Sequence, residues 1–169
     1  MFNVVTAQDF YAMLVQDFDD FCAEQHSARK AIHCAITANH MADWVWGDWL
    51  SKDAAARSTM GIAGREKALF MAWIDQHCVW FRPLQDIANG SKHFSRVGIG
   101  TSFVKGTGTS GHGMFGIGYL MIDWGEGAVP EMRYQAVASL LEVVVRFWRD
   151  FLRLYRPDPN QVDSRNHAM

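Results

Sequence analysis

Apolar positions along this chain recur at helical spacing in several stretches and alternate at strand spacing in one. Phe10, Leu14, Phe18 and Phe21 mark one face of a first helix, widened by Met13 and Cys22. Thr6 stands at its start, and Asp9 three residues on comes close to a capping box that also favours the helix dipole. Asp17, Asp19, Asp20 and Glu24 fall around the other side and are expected to form a solvated face.

Ser27 is placed to cap a second helix running to about Leu50. One of its rows is Ala31, Ala35, Ala38, Ala42, Val45 and Trp49. The neighbouring row is Ile32, Ile36, Asn39, Asp43, Trp46 and Leu50. Two adjacent packing rows predict a central helix, and the alanines let a neighbour approach closely. Residues 51–64 read as one or two helical turns at Asp53–Arg57, interrupted by Gly61 and Gly64.

A third helix is predicted from about Arg65 to Cys78, with Leu69, Phe70, Trp73, Ile74 and His77 on one side. Pro83 suits the first turn of a shorter helix reaching about His93, which carries Leu84, Ile87 and Ala88. The pattern changes near Arg96. More than half of the glycines lie between Gly98 and Gly118, around a strand at Ser102-Phe103-Val104 and a second at Met114–Trp124. A final helix is predicted over Tyr134–Tyr155, with Val137, Leu140, Leu141, Val144, Phe147, Trp148 and Phe151 as its apolar face. Pro157 and Pro159 end it.

The fold class is therefore α+β, mainly α. About five helices form a bundle, with a small glycine-rich antiparallel β-hairpin at about 96–125 before the C-terminal helix. Residues 1–156 read as a single domain, and 157–169 as a mobile tail. A length of 169 residues agrees with one domain. Such a chain buries roughly 70% of its unfolded surface, so folding needs neither disulfide nor metal.

A formal net charge of −2 supplies no basic excess to release phosphate counterions, so nucleic acid is not favoured as a partner. No apolar run approaches ~18 residues, which predicts no membrane span. The start, MFNVVTAQDF, lacks the features of a secretory signal. Three cysteines without a CxxC pair fit a reducing cytoplasm, with Cys22, Cys34 and Cys78 expected to be buried as small hydrophobes.

Two features bear on chemistry. Gly106-Thr107-Gly108-Thr109-Ser110-Gly111 satisfies GxGxxG, but it leads toward another strand rather than opening a helix, so it reads as a hairpin tip with His112 beside it. More informative are polar residues at core spacing in the second helix: His33, Thr37, His40 and Trp44 in one row, Asn39 and Asp43 in the next. Buried polar groups need partners. The helix after Pro83 offers Asp86, Asn89 and His93 on one face, with Lys92 at its edge.

The functional expectation is a polar site between helices for small-ligand binding or hydrolytic acid–base chemistry. His40, Asp43, Asn89, Lys92 and His93 carry the chemistry, and Asn39, Trp44 and Asp86 contact the ligand. In this scheme His40 or His93 is the general base, Asp43 or Asp86 orients it, and Lys92 stabilises negative charge. A metal held by His40, Asp43, Asp86 and His93 would use suitable donors. Neither HExxH nor a paired ExxH stands in the chain, so no metal is assigned, and no cofactor is specified. The alternative is a purely structural polar network in a non-catalytic interaction module, a homodimer whose working surface is exposed tryptophan or the hairpin.

Asn39-His40-Met41-Ala42-Asp43-Trp44-Val45-Trp46, Asp86-Ile87-Ala88-Asn89-Gly90-Ser91-Lys92-His93-Phe94 and Phe147-Trp148-Arg149-Asp150-Phe151-Leu152 resemble a family of uncharacterised bacterial proteins. Its members carry a His-x-x-Asp-Trp helix, an Asn-Gly-Ser-Lys-His segment and a late Phe-Trp helix. The resemblance covers about residues 25–155 and brings no activity with it. The helical core also resembles HEPN ribonucleases at the level of fold. Their Arg-to-His spacing is missing here, since Arg29 stands too close to His33 and Arg82 too far from His93.

Overall fold

Thr6 and Asp9 start the first helix as a full capping box. The Thr6 hydroxyl accepts from the Asp9 N–H at 3.1 Å, and the Asp9 carboxylate accepts from the Thr6 N–H at 2.9 Å. The computed structural model describes residues 3–90, 102–107, 118–124 and 133–156. Among them are α1 (Ala7–Ala23), α2 (Ala28–Val45), a π-turn (Trp46–Leu50), α3 (Ala54–Thr59), α4 (Lys67–His77) and α5 (Phe81–Gly90). Strands β1 (Ser102–Thr107), β2 (Gly118–Asp123) and β3 (Tyr134–Ala136) follow, then α6 (Val137–Tyr155). The architecture is α+β and mainly α, as the periodicity predicts. Lys92, His93, residues 108–117 of the glycine-rich loop (His112 included), the turn at 125–127 and the tail 157–169 lie outside the described residues.

α2 is the central helix and packs on α1, α5 and α6. Ala31, Ala35, Ala38, Ala42 and Val45 are buried, joined by Cys34, Thr37 and Met41. Most of the other predicted row lies at the margin: Ile32, Ile36, Asn39 and Trp46 are half-buried and Asp43 is exposed, while Leu50 at its end is buried. Asn39 and Asp43 therefore keep access to water and do not need buried partners.

α6 buries Val137, Leu140, Leu141, Val144, Val145, Trp148, Phe151 and Leu152. A fully buried aliphatic side chain contributes about 1.5–3 kcal/mol, so this face is a large part of the core. Trp148 is wholly buried, and its indole N–H donates to the Ala38 carbonyl at 3.0 Å, which meets the polar need of an interior tryptophan.

The sheet has the order β1-β2-β3 with antiparallel pairing throughout. Leu120 and Ile122 turn into the core, while Tyr119 and Met121 alternate onto the half-exposed face. Gly106 and Thr107 pair with Tyr119 and Gly118, so the GxGxxG run begins inside a hairpin strand. The Leu120 N–H donates to the Gln25 carbonyl at 3.0 Å, tying the sheet to the α1–α2 turn.

The described residues hold six α-helices, in keeping with the expected bundle of about five, the helical turns after Asp53 forming α3. Three expectations are corrected. Tyr134-Gln135-Ala136 is a strand, because its backbone pairs with β2; helix periodicity there is overridden by non-local pairing. Leu69 is exposed at 42%, and only Phe70 and Ile74 of α4 are fully buried. Cys22 is exposed, while Cys34 and Cys78 are buried and their thiols are pushed up by burial.

α3 ends in a Schellman motif. Gly61 takes a left-handed φ of 73°, its N–H donates to the Ser58 carbonyl at 3.0 Å, and the Ile62 N–H donates to the Arg57 carbonyl at 2.8 Å. Ile62 is buried and anchors the loop that follows.

Candidate functional site

The π-turn at the end of α2 organises the polar chemistry around it. The Ser51 N–H reaches back to the Trp46 carbonyl at 3.0 Å, one residue further than an α-helix allows. The widened turn presents Asp48, whose carboxylate accepts from the Ala7 N–H at 2.9 Å and so also caps α1. A cleft of about 320 Å³ opens here, lined by Val5, Asp43, Trp44, Gly47 and Asp48. Trp44 stacks on Phe10 with ring centroids 4.7 Å apart, which fixes the wall of the cleft.

Asp43 joins two cationic or proton-bearing groups. His40 Nδ1 lies 3.2 Å from one carboxylate oxygen, and Lys67 Nζ bonds the other. Burial works to raise the Asp43 carboxyl, but the hydrogen bonds from Lys67 and His40 outweigh it and hold it below the usual carboxylate range. An ionised Asp43 accepts the Nδ1 proton, so neutral His40 keeps its lone pair on Nε2. Lys67 comes from the first residue of α4 and is the partner that sequence pattern did not indicate.

The remaining expected residues are placed as follows. Asn39 is half-buried on α2. Asp86 and Asn89 are both exposed on α5, and among the described residues neither bonds to α2. Lys92 and His93 lie outside the described residues. Among those described, no three His, Cys, Asp or Glu side chains converge as a metal site requires. No described helix is long and apolar enough to cross a membrane.

The row His33-Thr37 finds its partner on α1 rather than α5. The Thr37 hydroxyl lies 2.6 Å from one Asp17 oxygen, and His33 Nδ1 lies 3.1 Å from the other. The Asp17 side chain is only 13% exposed, which corrects its assignment to a solvated face. The signal was present in the sequence: Phe10, Leu14, Asp17 and Phe21 follow alternating four- and three-residue steps, which puts the carboxylate on the packed stripe. Asp19 and Asp20 are exposed as expected, and Glu24 pairs with Lys30 at 2.9 Å.

A second concavity of about 410 Å³ lies between α4 and α6. Its apolar walls include Trp73, Phe147, Phe151 and Tyr155, with Arg146 and Asp150 also on the lining. His77 stacks on Trp73 at 3.9 Å, and its Nδ1 donates to the Trp73 carbonyl at 2.7 Å. Comparison of the chain with protein-family profiles, with curated protein sequences and with solved structures finds no match.

Proposed function

We propose that this chain binds a small molecule at the π-turn cleft and that His40, Asp43 and Lys67 perform acid–base chemistry on it, hydrolysis being the form those residues suit. The observation that carries the reading is the Asp43 carboxylate, which contacts both His40 and Lys67 while forming part of the cleft wall. In a hydrolytic step, His40 Nε2 takes a proton from water as the water oxygen attacks an ester or phosphoester centre. Asp43 stabilises the imidazolium that results, and the proton passes to the leaving oxygen as the bond to it breaks. Lys67 holds Asp43 ionised and in place. Trp44 supplies a flat apolar contact for the non-reacting part of the ligand.

The test is turnover of a panel of 4-nitrophenyl esters and 4-nitrophenyl phosphate by the wild type, His40→Gln and Asp43→Asn. A working base predicts a fall of about 100-fold or more in both variants, with both still folded and the melting temperature of His40→Gln unchanged. Turnover that survives His40→Gln, or that is absent from the wild type across the panel, sinks the catalytic reading.

A second reading, a self-associating interaction module, is favoured by the aromatic groove between α4 and α6. Leu154 is 69% exposed and lines that groove, as does the exposed Val143 about three turns earlier on α6. Two copies meeting there would cover both residues. Sedimentation velocity over a range of concentrations tests it: a monomer mass that never shifts, or a shift unaffected by Leu154→Glu, removes the second reading.

A further inference from the structure

Arg57 on α3 is 6% exposed, and no carboxylate pairs with it among the described residues. Its Nη1 donates to the Leu50 carbonyl at 2.7 Å and to the Ser51 carbonyl at 2.9 Å. These are the free carbonyls at the end of the π-turn, where the helix dipole is negative, so they offset part of the guanidinium charge. The other two nitrogens, Nε and Nη2, bond to nothing among the described residues. A buried cation ordinarily has a full counter-charge, and among the described residues no carboxylate supplies one to Arg57.

The guanidinium also lines a cavity of about 330 Å³ with Ser58, Gly61, Ile62, Gly64 and Arg65. Among the described residues the lining carries two arginines and a hydroxyl and no carboxylate. The loop along it is anchored at its start by backbone bonds. Gly61 and Ile62 form the Schellman turn on one side, and on the other the side-chain ends of Glu66 and Leu69 lie against Gly64. Asp53 caps the start of α3 through the Ala56 N–H at 2.9 Å. The Glu66 carboxylate lies against Gly64 but is not among the residues that line the cavity.

We infer that this cavity is a binding site for the phosphoryl group of a small phosphate ester, separate from the cleft at Asp43. Held by two carbonyls, the Arg57 fork is oriented before the ligand arrives, so little side-chain entropy is lost on binding. Arg65 supplies the second positive charge of a pair that matches a dianion, and Ser58 offers a hydroxyl to a third oxygen. The volume leaves space beyond the phosphoryl group for the group it esterifies.

Titration of the full chain with phenyl phosphate, inorganic phosphate and benzoate, followed by amide and arginine Nε–H NMR shifts, tests this. Phenyl phosphate is expected to move the resonances of Arg57, Gly61 and Gly64 with saturation below about 10 mM, and benzoate to bind at least about 5-fold more weakly. Arg57→Lys keeps the charge and loses the fork, and is expected to weaken phenyl phosphate about 10-fold or more. Because Arg57 also supports the π-turn carbonyls, Arg65→Ala serves as the second variant: it leaves those carbonyls bonded and is expected to weaken binding about 5-fold. Glu66→Gln is expected to tighten it. No saturable shift at these three residues overturns the inference, as does binding unchanged in Arg65→Ala. Benzoate binding as tightly as phenyl phosphate overturns the phosphoryl assignment. Loss of turnover at His40 with intact phosphate binding here would leave this site standing.

Discussion

Replacing Thr37 by valine isolates the contact that joins α1 to α2. The substitution keeps shape and removes the hydroxyl that lies 2.6 Å from Asp17. A hydrogen bond to a charged acceptor contributes about 1.5–3 kcal/mol. The site is almost fully buried, so the methyl that replaces the hydroxyl returns up to ~0.8 kcal/mol. The net expected loss is about 1–2 kcal/mol, which lowers the melting temperature of a chain this size by about 2–8 °C. Urea unfolding should show a lower midpoint with an unchanged slope, because the surface exposed on unfolding is the same.

The assignment to Asp17 is checked by a double-mutant cycle with Asp17→Ala, where a coupling of about 1–2 kcal/mol is expected. His33→Ala, at the exposed end of the same contact, should change stability by less than about 0.5 kcal/mol. A Thr37→Val variant as stable as the wild type, or a coupling near zero, refutes the argument that this carboxylate is held by Thr37.

Gly61→Ala places a side chain at a φ of 73° and is expected to cost about 1–2 kcal/mol in the same assay, with Gly61→Asn milder. Asp43 predicts a pH effect of definite sign. Its folded-state pKa lies below the unfolded value, so the unfolded chain binds more protons between the two. Its contribution is full above about pH 4 and is lost as pH falls through the folded value. Lys67→Met should shrink that acid-side loss, and a wild-type acid limb identical to the variant's would contradict the pairing. Among the thiols, Cys22 should react with a maleimide in the native protein, and Cys34 and Cys78 only after denaturation. Equal labelling of all three in the native state would refute the burial described here.

Local pattern carries the helices because each is decided by its own spacing and caps. Thr6, Asp9 and Ser27 cap by side chains a few residues from their targets, and Val137 to Phe151 repeat on one face. β3 and the π-turn depend on partners far along the chain. Tyr134 pairs with Asp123, and Asp48 of the π-turn holds Ala7. The His40–Asp43 contact could be read because three residues separate the two on one helix. Lys67 could not, since nothing in a lysine opening a helix tells which carboxylate it will meet. Arg57 is harder still: a lone arginine in a polar stretch reads as surface, and only the carbonyls of Leu50 and Ser51 hold it inside.

The bond from Trp148 to Ala38 spans 110 residues. During synthesis α1 and α2 leave the ribosome long before α6 does. The face of α2 that α6 covers, around Ala38, must therefore wait until the last helix emerges. The α1–α2 hairpin can form early through local contacts, but its docking onto α6 is a late, high-contact-order event. A nascent chain stalled before Val137 would present that face to chaperones. Release of the C-terminal segment, rather than formation of any single helix, would then commit the chain to its final core.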